Sequence, residues 1–175
     1  LGYAMQVLTA VLLTFVALAN SQCPNPPHYE TYHGMQYMFY NCDLSWQQAE
    51  DFCKTKGSNL VSILSSQDNT YVSNKIKELY GASILKPQKV WIGLRTTTCG
   101  GPMTWTDGSS YSYNNFGKNQ PNCARADEFC VHLHYEPYPY SFYWSWTDAV
   151  CTDKHKFVCK SNQPYLLPLA PGYRM

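Results

Sequence analysis

Eight cysteines lie within the 175 residues of this chain, and they constrain its fold more than any other feature. All of them fall between positions 23 and 159. An even set of this size is typical of oxidising compartments, where up to about four disulfides stabilise a small fold. Eight cysteines allow about 105 pairings, so spacing alone does not choose among them. The pattern predicts a secreted, cross-linked protein.

The length and the N-terminal sequence predict one domain behind a secretory signal. A chain of 175 residues with 45% hydrophobic content can bury a single core. An apolar run follows Met5 and ends among small residues near Ala19 to Ser21, which is typical of a signal peptide over 1–21 with Met5 as initiator. An uncleaved anchor is the alternative, although the run is short for a membrane span. We expect the domain over 22–160 and a flexible, proline-rich tail over 161–175.

Charge and motif content argue against two classes of function. The net charge is +1, and no Lys/Arg cluster is present that could release counterions from nucleic-acid phosphates. The chain has no Gly-x-Ser-x-Gly, His-Glu-x-x-His or glycine-rich phosphate motif. Asp127 and Glu128 are adjacent, so a strand would turn them to opposite sides, which is poor geometry for paired acid–base chemistry. We expect a binding protein and not an enzyme.

Two helices precede a series of short strands. The capping box of Ser45 and Gln48 predicts a first helix over 46–56. Ser65 or Ser66 caps a second helix, which keeps the helical period until Gly81. Short runs rich in aromatic and β-branched residues predict strands over 37–40, 90–94, 103–105, 129–133, 142–146 and 156–159. The fold class is therefore α+β, without a parallel crossover sheet.

Five motifs then follow in a fixed order: Trp91-Ile92-Gly93-Leu94, Gln120-Pro121-Asn122, Glu128-Phe129-Cys130, Trp146-Thr147-Asp148 and Phe157-Val158-Cys159. This order resembles the C-type lectin domain, and the resemblance covers about Cys23 to Cys159. It implies a disulfide-stapled fold of two helices, two small antiparallel sheets and a long binding loop. The Trp-Ile-Gly-Leu strand would be core. The polar stretch between Gly93 and Cys130 would be the loop, since loops of this length are commonly functional.

The resemblance also implies part of the disulfide pattern. In the family, the cysteine of the first helix joins the last one, which implies Cys53 with Cys159, and the pair flanking the loop implies Cys130 with Cys151. If the segment around His33-Gly34 is a hairpin turn, Cys23 comes opposite Cys42. Cys99 and Cys123 remain, and either they staple the binding loop or one or both join a second chain.

One calcium site is implied by the same family. Its lectins bind the ion through residues flanking a cis-proline, a Glu before the loop cysteine, and an Asn-Asp pair after a Trp. On this chain the metal ligands are Gln120, Asn122, Glu128, Thr147 and Asp148, and the same five residues would contact the sugar. Carbohydrate hydroxyls can complete a calcium shell that the protein leaves open, so ion and sugar would bind together.

Two substitutions in this set predict a weak site. Thr147 replaces an amide with a shorter side chain that has one hydroxyl. Gln120 stands where the family often has Glu, which leaves Glu128 and Asp148 as the only carboxylates. Because calcium affinity follows ligand charge, we expect a dissociation constant toward about 10⁻³ M, or no binding at all. A second, auxiliary calcium site would be lacking, since Cys123 and Phe129 stand where it needs acidic ligands.

The choice of sugar stays open in the sequence. Family members with Glu-Pro-Asn tend to bind mannose-type sugars and those with Gln-Pro-Asp galactose-type sugars, so Gln120-Pro121-Asn122 is a hybrid with a slight lean toward galactose.

The segment between Cys130 and Trp146 is rich in aromatic residues. It is either an extended hairpin, with Phe142, Trp144 and Trp146 on one side, or a source of a ring that stacks on the sugar. His132 and His134 share one face of a strand, which could suggest zinc. We interpret them as surface residues, because no Cys or carboxylate stands at metal spacing.

Two hypotheses follow from the sequence. The first is a secreted calcium-dependent lectin that binds the terminal sugar of a glycan, for example in innate immunity. The second is a calcium-independent module on the same scaffold, of the matrix, mineral-associated or venom type. A homo-oligomer would add avidity to weak sites, although no coiled-coil heptad is present to drive assembly.

Overall fold

The structure is a computed structural model that describes residues 23–81, 88–125, 127–138 and 141–164. The predicted signal segment over 1–21 lies outside these ranges. No helix within them has the length and apolar character needed to cross a membrane.

The two predicted helices are confirmed. Helix α1 spans Trp46–Thr55, and the Ser45 side chain accepts a hydrogen bond from the Gln48 backbone while Gln48 reaches back to Ser45. Helix α2 spans Ser66–Tyr80 and ends at Gly81, which has a left-handed φ of 66°. Ser45 and Ser65 satisfy N–H groups that a helix start otherwise leaves without partners.

The described residues include eight strands: β1 His28–Tyr32, β2 Met35–Leu44, β3 Ser58–Leu60, β4 Lys89–Arg95, β5 Thr104–Trp105, β6 Cys130–Tyr138, β7 Ser141–Ala149 and β8 His155–Pro164. They form one hydrogen-bonded sheet in the order β1-β2-β8-β4-β6-β7, with β3 paired to β8 and β5 to β4. The α+β class is confirmed. The expected two small antiparallel sheets are instead continuous, because β4 and β8 pair in parallel at Val90 with Lys156 and at Trp91 with Phe157.

The predicted tail begins later than expected. Strand β8 continues to Pro164, where it pairs with Met35, and Ser161 pairs with Ser58. The Ser161 hydroxyl also accepts a hydrogen bond from the Gln36 backbone at 3.0 Å. Neighbouring backbone therefore extends the strand beyond residue 160. The rest of the predicted tail, 165–175, lies outside the described residues.

The strand Trp91-Ile92-Gly93-Leu94 is core, as predicted. Its four residues are buried, and the strand lies within the sheet between β8 and β6. The Trp91 indole donates to the Leu44 carbonyl at 2.9 Å, and the Trp46 indole donates to the Ile92 carbonyl at 2.9 Å. A methyl group added at Gly93 would lie 2.5 Å from the Leu60 carbonyl oxygen, so only glycine fits there. Both faces of β4 are therefore packed.

Four disulfides connect the described elements: Cys23–Cys42, Cys53–Cys159, Cys99–Cys123 and Cys130–Cys151. The second and fourth are the pairs that the resemblance implies, the first agrees with the hairpin argument, and the third is one of the two alternatives left open. The second joins α1 to β8 across 106 residues of sequence, and the fourth closes the hairpin of β6 and β7. The third joins two parts of the long loop, so no described cysteine is left for a second chain.

Candidate calcium and sugar site

The part of the long loop that lies between β5 and β6 runs beside β7. The Trp146 backbone N–H donates to the Asn115 carbonyl at 2.9 Å, and the Gly117 N–H donates to the Trp146 carbonyl at 3.0 Å. The Asn115 side chain donates to the Trp144 carbonyl at 2.7 Å. The rings of Tyr113 and Phe116 pack edge-on against Trp146 at centroid distances of 5.6 and 5.8 Å. These hydrogen bonds and ring contacts place the Gln-Pro-Asn motif at the edge of the sheet.

The peptide bond between Gln120 and Pro121 is cis. The Gln120 backbone N–H donates to the Gly117 carbonyl at 3.0 Å, which closes a turn just before the proline. Two residues after the proline, Cys123 joins Cys99 with 5.8 Å between their Cα atoms. The motif is therefore held by a turn on one side and a disulfide on the other.

Asp148 binds the loop to β7. Its side chain is 5% exposed, and its two oxygens accept backbone hydrogen bonds from Asn122 at 3.2 Å and from Cys123 at 2.7 Å. Hydrogen bonds to an ionised acceptor contribute about 1.5–3 kcal/mol each. Two of the predicted ligands, Asn122 and Asp148, are thus brought together directly.

The oxygens of Asn122 and Glu128 shape the loop itself. The Asn122 amide oxygen accepts from the Ala124 N–H at 2.8 Å, and a Glu128 carboxylate oxygen accepts from the Arg125 N–H at 3.1 Å. Carbonyl and carboxylate oxygens have more than one lone pair, so these bonds leave acceptor capacity for a ligand. Glu128 lies in the same loop as the Gln-Pro-Asn motif and is held by a contact within it.

Gln120 and Thr147 have side-chain oxygens that are buried and have no hydrogen-bond partner within the described residues. A methyl group added at Gly117 would lie 2.9 Å from the Ser145 hydroxyl and 3.7 Å from Gln120 Cγ, so Gln120 lies on the Ser145 side of β7. Residues two apart on a strand share a face, which places Thr147 on that side as well. Asp148 points to the opposite face by the same alternation.

His132 is buried, so its interpretation as a surface residue is wrong. It is 2% exposed, it pairs with Thr147 across the hairpin, and its ring lies 5.8 Å from Trp91 and 5.1 Å from His155. Burial, together with the neighbouring His155, lowers the pKa of His132 well below its ordinary value of 6.5. Strand β8 brings His155 against this face, and no local sequence pattern revealed that contact.

No three His, Cys, Asp or Glu side chains in the described ranges form a metal-binding group. A zinc site at His132 and His134 therefore gains no third ligand there. A calcium ion at the predicted site would depend on amide and hydroxyl oxygens in addition to Glu128 and Asp148.

Known proteins with similar sequences include several lectins and a snaclec subunit. A family model for the lectin C-type domain matches residues 43–161. The galactose-specific lectin nattectin of Thalassophryne nattereri is 30% identical over 145 residues, which cover 82% of this chain and 83% of nattectin. A C-type lectin mannose-binding isoform of Oxyuranus scutellatus is 31% identical over 148 residues, covering 81% of this chain and 85% of that protein.

Solved structures extend the comparison. The C-type lectin CEL-I of Cucumaria echinata superposes with a TM-score of 0.65 and 25% identity, covering 78% of this chain and 96% of CEL-I. A herring type II antifreeze protein superposes with a TM-score of 0.61 and 26% identity, covering 79% and 97% of the two chains. The same fold thus occurs in proteins named for different functions.

Proposed function

Since the chain belongs to the C-type lectin domain family, we propose that it is a secreted lectin that binds a terminal sugar of a glycan through one weakly bound calcium ion. The observation that carries this proposal is the pair of buried side-chain oxygens of Gln120 and Thr147, which have no hydrogen-bond partner within the described residues. Other buried polar atoms of the described residues also lack a partner, Trp105 and Thr106 among them, and an ion or water is a usual explanation. What distinguishes Gln120 and Thr147 is that both offer oxygens at positions of the lectin calcium motif. They lie beside the segment that Asp148 holds.

The residues that would hold the ion are Gln120, Asn122, Glu128, Thr147 and Asp148. Calcium takes six to eight hard oxygen ligands, and these side chains offer only oxygen. Because Thr147 and Asp148 point to opposite faces of β7, a shell that uses both has to form at the edge of the strand. The Gln-Pro-Asn motif lies along that edge.

The expected affinity is low. Two of the five ligands are carboxylates, and ligand charge sets calcium affinity, so we expect a dissociation constant near about 10⁻³ M. Sugar hydroxyls would supply the missing ligands, which makes the sugar and the ion bind cooperatively. The amides of Gln120 and Asn122 would donate hydrogen bonds to the sugar, and a calcium ion held there would attract the sugar's hydroxyl oxygens.

We propose a slight preference for galactose-type sugars, because Gln120 occupies the first position of the Gln-Pro-Asn motif. One relative is named as galactose-specific and another as mannose-binding, so similarity alone does not decide.

Affinity chromatography tests the proposal. The protein is passed over galactose and mannose resins in millimolar calcium and eluted with EDTA. Retention that EDTA abolishes is expected on one resin, and retention that is absent or insensitive to EDTA would contradict the proposal. Glu128→Gln removes a ligand charge and should reduce retention, whereas Asp127→Asn, a neighbouring change of the same kind at an exposed side chain, should not.

A second candidate function is a calcium-independent interaction module. The observation that favours it is the hydrogen bonding of Asp148, whose two carboxylate oxygens both accept from the loop backbone, at Asn122 and Cys123. The Cys99–Cys123 disulfide reinforces the same segment. A loop held by its own hydrogen bonds and a disulfide would present a surface to another macromolecule. Calorimetric titration separates the two functions, because the module predicts no heat of calcium binding with or without sugar.

A further inference from the structure

We propose that a pocket beside Gln120 is a second subsite, which accepts a flat ring linked to the ion-bound sugar. This inference rests on the proposed lectin function and specifies its ligand. The pocket has a volume of 320 Å³ and is lined by the Gly100–Gly101 backbone and by Met103, Tyr111, Asn114, Phe116 and Gln120. Ligand pockets commonly measure about 300–1,000 Å³, so this one is large enough for one small group.

The pocket is continuous with the candidate sugar site. Gln120 and Pro121 belong to the cis-proline motif and also line the pocket. A sugar bound at Gln120 would therefore have one side facing the pocket. Whatever is linked to that side of the sugar would extend toward Tyr111.

The lining of the pocket suits a ring with an apolar face. Tyr111 is 39% exposed, which is unusual for so large a side chain, whereas Met103 and Phe116 are partly buried against the core. Aromatic side chains contact apolar ring faces with specific geometry, and an exposed tyrosine beside a cavity is available for this. The exposed side chain of Asn114 adds an amide that can bind a hydroxyl at the rim.

The walls of the pocket are held in place without a ligand. Cys99, which precedes the Gly100–Gly101 wall, is joined to Cys123, which follows Pro121. The Gly101 N–H donates to the Thr98 carbonyl at 2.9 Å, and a methyl group at Gly101 would lie within 3 Å of the Thr96 and Thr98 hydroxyls. The wall must therefore be bare backbone. A preformed pocket loses little entropy on binding, which raises affinity.

Two ligands share the required chemistry. One is an aromatic or otherwise apolar aglycone attached to the sugar, and the other is the next pyranose of a glycan, which has an apolar face of its own. The test therefore compares both with a sugar that has neither.

The experiment measures dissociation constants in saturating calcium for three galactosides: methyl β-D-galactopyranoside, 4-nitrophenyl β-D-galactopyranoside and lactose. Methyl and 4-nitrophenyl α-D-mannopyranosides and a mannose disaccharide form a parallel series. We expect the ring-bearing compounds of the preferred series to bind about threefold to tenfold more tightly than its methyl glycoside. A gain with the nitrophenyl compound alone identifies an aglycone, and a gain with the disaccharide identifies a second sugar.

Variants show where the gain arises. Tyr111→Ala should remove the gain and leave methyl glycoside affinity unchanged, while Tyr111→Phe should keep it. Tyr29→Ala is the matched control, because Tyr29 is another exposed tyrosine, 54% accessible, on strand β1. Near-ultraviolet circular dichroism confirms that each variant is folded. The wild-type comparison stands even if Tyr111→Ala does not fold.

The failures are distinguishable. If the methyl glycosides bind with calcium but the ring adds no affinity, the subsite is wrong and the lectin function stands. A gain that persists in Tyr111→Ala also overturns the subsite. If no glycoside binds in calcium, the proposed lectin function fails and the subsite fails with it.

Discussion

Trp146 and Thr147 are neighbours on β7, yet they lie in opposite environments. The Trp146 indole donates to the Asn69 side chain at 2.9 Å, and the rings of Trp105, Tyr113 and Phe116 surround it. On the other face, Thr147, Ser145 and His132 all have buried polar atoms without a hydrogen-bond partner among the described residues. The Trp146 indole is satisfied by the protein itself, although the Trp105 indole N–H beside it has no partner among the described residues, and the Thr147 face has several such atoms.

The difference between the two faces of β7 indicates which side chains stabilise the fold and which are available to bind a ligand. A packed and hydrogen-bonded side chain stabilises the fold, whereas an unsatisfied buried oxygen costs about 1–3 kcal/mol unless something binds it. Proteins tend to break local rules at functional sites and to stabilise the fold elsewhere. We expect changes on the Trp146 face to act on stability and changes on the Thr147 face to act on ligand affinity.

The largest effect is expected for Trp146→Ala. The substitution leaves a cavity among three rings and removes the partner of Asn69, so the free energy of unfolding should fall by about 3–5 kcal/mol. Urea denaturation, followed by the far-ultraviolet circular dichroism of the backbone, measures this free energy. Tyr29→Ala, at an exposed site, should change the same quantity by less than about 0.5 kcal/mol. Equal effects of the two variants would show that the Trp146 face does not dominate stability.

The second largest effect is expected when the Cys99–Cys123 disulfide of the loop is removed. The double variant Cys99→Ser, Cys123→Ser releases a 24-residue loop in the unfolded chain. The entropy that the unfolded chain gains should lower the free energy of unfolding by about 3 kcal/mol. Helical circular dichroism should persist, because α1 and α2 lie outside the loop, while sugar binding should weaken. Loss of the whole fold would show that the loop and the core are one cooperative unit.

Acid should destabilise the protein through the histidine cluster behind Thr147. Burial, then the nearby Lys89, lowers the pKa of His155 below its ordinary value of 6.5, and its ring packs against Trp91 at 4.5 Å. Below pH 6.5 the unfolded chain binds more protons than the folded one, so stability should fall until the pH passes the folded-state pKa. His155→Gln should flatten the dependence of unfolding free energy on pH between 7 and 5.

The smallest effect is expected for Thr147→Asn. An amide at this position offers an oxygen to the ion and an N–H to the sugar, so affinity in calcium should rise about threefold to tenfold. Thr97→Asn, an exposed threonine in the loop, is the control and should have no effect. A gain without calcium would contradict the proposed role of Thr147.

Much of the packed region could be predicted from sequence because its signals are local. Ser45 with Gln48 predicts the start of α1, and the run from Trp91 to Leu94 predicts a buried strand. Two disulfide pairs came from family resemblance and a third from the hairpin before Cys42, whereas the Cys99–Cys123 pair stayed open.

The binding region depends on contacts that no local pattern contains. Asp148 reaches Asn122 and Cys123 across 26 and 25 residues of sequence, and β8 covers His132 from the far end of the chain. The identities of the proposed site residues come from the resemblance alone. The side of β7 on which each lies, and the pocket at Tyr111, required the folded chain.

Titration with calcium, observed by nuclear magnetic resonance, tests the central claim most directly. The side-chain amide signals of Gln120 and Asn122 report on the oxygens proposed to hold the ion. In the presence of sugar, we expect both signals to shift with a dissociation constant near about 10⁻³ M, and to shift much less in Glu128→Gln than in Asp127→Asn. Signals that do not move up to saturating calcium, while sugar still binds, would contradict the account.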